Sequence, residues 1–88
     1  MDAVKKKKFK ADSHALKPVV MVGQAGLTAA VLAEIESALD IHELIKVKIR
    51  AERDARKTIC DEICTSTKAE LVQSIGQIIV IYRLNPKK

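Results

Sequence analysis

Eighty-eight residues are enough for one compact domain and too few for two, since typical domains hold roughly 100 to 150 residues. With 48% hydrophobic and 31% charged residues, and only three Gly and two Pro, the composition excludes a disordered or low-complexity chain. Sixteen Lys and Arg against eleven Asp and Glu leave a net charge of +5, which favours a polyanionic partner, while one Phe and one Tyr are too few for aromatic base stacking of the RRM type.

Asp2 to Ala15 hold Lys, Ala and Phe9 with little apolar periodicity, and read as a loosely packed basic helix or arm, residues 1–15, with a frayed start. Lys5, Lys6, Lys7, Lys8 and Lys10 make this segment either a nucleic-acid-seeking arm or a solubilising tail. No apolar stretch follows the lysines as in a secretory signal, and no run approaches the roughly 20 apolar residues of a spanning helix, so no membrane partner and a cytoplasmic location are expected.

Pro18 ends any helix before it, and Val19 to Val22 read as a short buried strand closed by Gly23-Gln24-Ala25-Gly26. Thr28 suits an N-cap, and Val31, Leu32, Ile35, Ala38 and Leu39 form the apolar stripe of a helix running to about Asp40. From Leu44 to Arg50 the period changes to two. Ile45, Val47 and Ile49 take one face and Lys46, Lys48 and Arg50 the other, giving a strand with an apolar and a cationic side.

Asp54 suits the cap of a third helix, whose stripe is Ala55, Ile59, Cys60, Ile63 and Cys64 and whose end lies near Thr67. Glu70 to Ile75 and Ile78 to Arg83 read as strands joined by Gly76-Gln77, a glycine-first pair suited to a type II′ hairpin. Ile78 to Tyr82 is apolar on both faces and is expected to be central or covered; Lys87 and Lys88 form a basic tail. The order α-β-α-β-α-β-β predicts a single α/β domain over residues 1–88, a small mixed four-stranded sheet covered by helices.

Gly23 to Gly26 meets a helix start, where absent Cβ atoms and the partial positive charge of the helix end can bring backbone N–H groups to a phosphate. The alternative is a tight turn. The loop lacks the Lys-Ser/Thr ending of a P-loop and the third glycine of a dinucleotide fold, so neither cofactor is expected. Lys46, Lys48 and Arg50, continued by Arg53, Arg56 and Lys57, form a ladder whose roughly 6.5 to 7 Å spacing suits successive phosphates, or else a solvated sheet face. Cys60 and Cys64 are expected to be buried reduced thiols rather than a disulfide or zinc ligands, and no metal is expected at the isolated His14 and His42. His42-Glu43 has no nucleophile or paired carboxylate beside it in sequence, and no enzymatic activity is expected.

Leu16 to Thr28, with its Val22-Gly23-Gln24-Ala25-Gly26 core, resembles the bacterial YhbY family, single-domain members of the chloroplast RNA splicing and ribosome maturation (CRM) group. His42-Glu43-Leu44-Ile45-Lys46-Val47-Lys48-Ile49 and Ile75 to Arg83 match two further family blocks in order. The blocks cover about Leu16 to Arg83, whereas the lysine run and Asp12-Ser13 depart from the family's usual opening helix. The resemblance implies a two-layer α/β sandwich similar to the C-terminal domain of translation initiation factor three, and binding of ribosomal RNA in precursors of the large ribosomal subunit. Its G-x-x-G loop maps onto Gly23, Gln24, Ala25 and Gly26. With Thr28, Lys17, Lys46, Lys48, Arg50 and Arg53, these are the expected RNA-binding residues of a monomer without cofactor. The alternative is a basic protein-interaction module for acidic protein partners.

Overall fold

The computed structural model describes residues 2–85, so the basic tail at Lys87 and Lys88 lies outside the described residues. Seven elements follow in the expected order: α1 (Ala3–Ser13), β1 (Pro18–Val22), α2 (Ala29–His42), β2 (Leu44–Ile49), α3 (Arg53–Thr67), β3 (Glu70–Ile75) and β4 (Ile78–Tyr82). The four strands form one mixed sheet in the order β1-β2-β4-β3. β1 pairs parallel with β2, and β4 lies antiparallel to both β2 and β3.

The apolar alternation of β2 builds the core. Ile45, Val47 and Ile49 are buried with Val20 and Val22 of β1 and Ile79 and Ile81 of β4, and Ile35 and Leu39 of α2 and Cys60 and Ile63 of α3 close over them. At roughly 1.5 to 3 kcal/mol for each large aliphatic side chain, this is the main stabilising contribution. β4, apolar on both faces, is an inner strand, and its Val80 is buried on the second face.

α1 covers part of that second face. Phe9 stacks on Tyr82 with ring centroids 4.3 Å apart, and Ser13 is buried while its hydroxyl donates to the Lys10 carbonyl at 2.8 Å. The helix start is also ordered: Asp2 accepts a hydrogen bond from the Lys5 N–H at 2.8 Å, a cap that the reading of a frayed arm overlooked. Lys46 is consequently half-buried beside a helix, and with Lys48 also half-buried this side of β2 is not a fully solvated face.

Four local expectations are corrected. β2 stops at Ile49: the Arg50 N–H makes the last rung to β1, donating to the Val22 carbonyl at 2.9 Å, and the Ala51 N–H then turns back to the Ile49 carbonyl at 3.1 Å. α2 continues to His42 and ends at Glu43, which takes φ 64° while its N–H still reaches the Leu39 carbonyl. Glu52, not Asp54, stands at the N-cap of α3, and Asp54 lies in the first turn. Ala55 is exposed and leaves the apolar stripe to its neighbours. The Gly76-Gln77 hairpin is as expected: Ile75 pairs with Ile78, Gly76 has φ 55° and Gln77 has no positive φ, the type II′ pattern.

At the end of the sheet where β4 finishes, Arg83 donates to Glu36 Oε2 at 2.7 Å, to Asp40 Oδ1 at 2.8 Å and to the Thr67 carbonyl at 2.8 Å. One guanidinium thus ties the last strand to α2 and to the end of α3.

Glu52 holds extended N-cap geometry, φ −64° and ψ 161°, without a side-chain cap hydrogen bond. Glu52→Ser should therefore stabilise the fold by roughly 0.5 to 1 kcal/mol by accepting from the first turn of α3. Thermal denaturation checks this; an unchanged or lowered midpoint would show that the first turn is already satisfied.

Candidate functional site

The parallel β1–β2 pair sends both strands to the same end of the sheet, and the site is assembled there. Beyond Val22, Gly23 to Gly26 form a β-turn closed by the Gly26 N–H donating to the Gly23 carbonyl at 3.0 Å. Gln24 and Ala25 are exposed at its tip. Gly26 takes φ 80°, which only glycine adopts without strain. Gly23 has no positive φ, and a Cβ built there would meet nothing within 4 Å. Its missing side chain therefore leaves an open approach to the backbone from outside the molecule.

The turn leads into α2. Thr28 caps this helix by accepting from the Val31 N–H at 3.2 Å, and no acidic residue occupies the first turn. The partial positive charge of the helix end is thus not neutralised by a neighbouring carboxylate. Arg50 is held against Val22 by its own N–H, Arg53 opens α3, and Lys48 points from the last-but-one position of β2. None of the three cations has a carboxylate partner among the described residues. The Ile49 N–H donates to the Gln77 carbonyl at 2.7 Å, which brings the β3–β4 hairpin to the same end.

The other expected residues do not converge there. Lys17 precedes β1 and sits at the opposite end of the sheet, about five residues or roughly 16 Å along the strand from the turn. Lys46 lies mid-sheet beside the carboxyl end of α1, and pairs in register with Val80. The lysines of α1 are exposed, and those before Phe9 lie toward the Tyr82 end. Arg56 is half-buried with Nη1 donating to the Ala51 carbonyl at 2.8 Å, so it holds the start of α3.

Met21, Ile75 and Ile78 were not singled out in the sequence. Register places them in one row with Lys48 across all four strands, Met21–Lys48–Ile78–Ile75, on the second face at the turn end. The strand alternation carried that signal once the pairing was known.

His42 and Glu43 form a helix ending: the Glu43 carboxylate accepts from the Asn85 N–H at 2.7 Å, and its carbonyl accepts from the Arg83 N–H. Cys60 and Cys64 are free thiols, the first buried and the second half-buried. Hydrogen bonding to Cys60 and burial push the Cys64 thiol well above the ordinary range, with Asp61 adding to the effect. Among the described residues no three His, Cys, Asp or Glu side chains are grouped as a metal site. No helix among them is long and apolar enough to cross a membrane.

Fold and site define a small basic α/β domain that presents a glycine turn, a helix start and unpaired cations at one end of its sheet. The chain belongs to the CRS1/YhbY (CRM) domain family, whose model matches residues 1–83. It is 55% identical over 83 residues to a protein of Pseudomonas aeruginosa named a probable RNA-binding protein, covering 93% of this chain and 80% of that one. It is 53% identical to a Haemophilus influenzae protein named an RNA-binding protein, covering 92% and 84%. The solution structure of hypothetical protein SAV1595 from Staphylococcus aureus superposes with a TM-score of 0.84 at 30% identity, covering 96% of this chain and 88% of that one.

The family match therefore begins at residue 1, not near Leu16. The lysine run lies on the exposed side of α1, whereas Phe9 and Ser13 make the contacts that seat the helix.

The two glycines differ in what the fold asks of them. Gly26→Ala should cost about 1 kcal/mol or more through its left-handed backbone, lowering the melting temperature by several degrees. Gly23→Ala should leave it unchanged or slightly raised. Thermal melts of both variants test this assignment, and equal losses would overturn it.

Proposed function

We propose that this protein binds RNA, gripping the sugar–phosphate backbone of structured RNA at the end of the sheet that carries Gly23 to Gly26, Arg50 and Arg53. The observation that carries the reading is that one end of the sheet holds a turn with an open backbone, an unneutralised helix start and cations without carboxylate partners among the described residues. A phosphate needs directed N–H donors and mobile positive charge, and the site offers both. The names of the relatives agree with this reading.

The finer proposal is that the RNA is ribosomal RNA in precursors of the large ribosomal subunit, met in the cytoplasm by a monomer. A protein of this kind needs to hold a folded RNA without altering it, and the site requires no chemical step. Lys17, Lys46 and the lysines of α1 then act as a wider electrostatic field that raises encounter rates with a polyanion.

Binding should weaken steeply with salt. If four to six cations neutralise phosphates, log affinity against log salt should fall with a slope between roughly −3 and −5. Asp at both Gln24 and Ala25 keeps the glycines and sets two negative charges where the phosphate is proposed. At an effective dielectric near 20, a charge about 5 Å from a phosphate costs on the order of 3 kcal/mol before screening, so affinity should fall tenfold or more with the melting temperature unchanged. Full affinity in the folded double variant would reduce the loop to a connection. Digesting a cell extract with RNase should also release the protein from large-subunit fractions; retention would point to an acidic protein partner instead.

A further inference from the structure

We propose that the recess between the carboxyl end of α1 and the second face of the sheet is a binding pocket for a single unstacked nucleobase of RNA. The inference rests on the RNA-binding reading above and adds to it a site that reads bases. The recess measures about 170 Å³, well below the ~300–1,000 Å³ of pockets for drug-sized ligands, and so suits one planar ring system. Its floor is aliphatic, from Ile78 and Val80, with Ile75 at the edge. Its rim is polar, from Gln73, Lys46 and His14.

Three features favour a base over other occupants. Gln73 carries an amide that can donate and accept, and it has no hydrogen-bond partner among the described residues, so its hydrogen-bonding edge is free for a base edge. Lys46 is unpaired in the same way and can donate to a base carbonyl. The carboxyl end of α1 presents partial negative charge at the mouth, which disfavours a phosphate inside but accepts an exocyclic amino group.

The position also fits. Ile78 pairs with Lys48, and Lys48 with Met21, two residues before Gly23. The pocket is therefore about 10 Å across the sheet from β1, two strand spacings, within reach of one or two nucleotides from a backbone gripped at the turn. Met21, 53% exposed, and Ile75, 62% exposed, extend the aliphatic floor on either side of Lys48. An apolar strip interrupted by a cation matches a nucleotide strand, which alternates apolar base faces with phosphates.

The test uses the full chain with two kinds of ligand: single strands, as eight-nucleotide oligo-U and oligo-A, and a fully paired eight-base-pair RNA duplex. Gln73→Ala and Ile78→Ala should each weaken at least one single strand roughly three- to tenfold, the worth of one neutral hydrogen bond or a comparable apolar contact. Binding of the duplex, whose bases stay stacked, should be unchanged. Gln73 is the decisive position, because losing its unpartnered amide leaves the fold intact even if Ile78→Ala loosens the sheet. The Gln24→Asp, Ala25→Asp double variant should weaken both ligands. Wild-type affinity of the Gln73 variant for both single strands, with the loop variant weakened on both ligands, would overturn the pocket and leave the backbone reading standing. Equal losses on single strand and duplex would also overturn it, by making Gln73 a backbone contact. If the loop variant too binds as wild type, the backbone site at the turn fails along with the pocket, and if the wild-type chain binds neither the single strands nor the duplex, the RNA-binding reading itself fails. A dimer in sedimentation that Gln73→Ala or Ile78→Ala dissociates would assign the face to a second copy of the chain and overturn the proposal.

Discussion

The alternation of β2 is the constraint on which the rest of the structure depends. Ile45, Val47 and Ile49 are buried against α2 and α3, and Lys46 and Lys48 emerge on the other side. A one-residue slip would drive both ammonium groups into the core, at several kcal/mol each. The register is thereby locked on both sides of β2 at once. It fixes the contact of Arg50 with Val22, which seats the glycine turn beside the cations, and the contact of Ile49 with Gln77, which brings in the hairpin. The site follows from strand pairing more than from the loop's own structure.

The two ends of the sheet are chemically opposite. At one, Arg83 is satisfied by Glu36, Asp40 and the Thr67 carbonyl, with a side chain 19% exposed, so its charge is spent on holding β4, α2 and α3 together. At the other, Lys48, Arg50 and Arg53 have no carboxylate partners among the described residues. A paired arginine is a tie, and unpaired cations near a helix start are a field. Sequence distance hides this difference, since Arg83 and Arg50 both simply follow apolar strands.

Local periodicity made most of the fold readable: the seven elements, the glycine-first hairpin and the inner position of β4 all follow from side-chain alternation and turn chemistry. What failed was set by contacts between elements. Arg50 continues the alternation of β2 on paper, but it only closes the last rung to Val22 before the chain turns, the Ala51 N–H donating back to the Ile49 carbonyl. Asp54 is a better capping residue than Glu52, yet the chain enters α3 two residues earlier, where Arg56 reaches back to the Ala51 carbonyl. α1 looked loose because its hydrophobic content is small. Its seat depends on one ring stack and one buried serine, neither of which leaves a periodic trace. The same limit explains the candidate site: the turn and Arg50 were legible together, but Lys17 was grouped with them although the strand carries it to the far end.

The scarcity of aromatic side chains shapes what the surface can do. Phe9 and Tyr82 are stacked on one another and hold α1 to the sheet, so the one Phe and the one Tyr turn a face to each other rather than to a base. Under the proposed function, affinity must then come mainly from phosphates, a contribution that is strong, salt-dependent and blind to sequence. Any discrimination has to come from hydrogen-bonding edges set in apolar surroundings, where a mismatched group is left unpaired at a cost of about 1 to 3 kcal/mol. On the second face the structure provides such an edge at Gln73, beside the aliphatic row that begins at Met21 and ends at Ile75. Seating α1 with the one Phe and the one Tyr thus weakens one mode of base recognition and, by placing the end of that helix over the sheet, creates the walls of another.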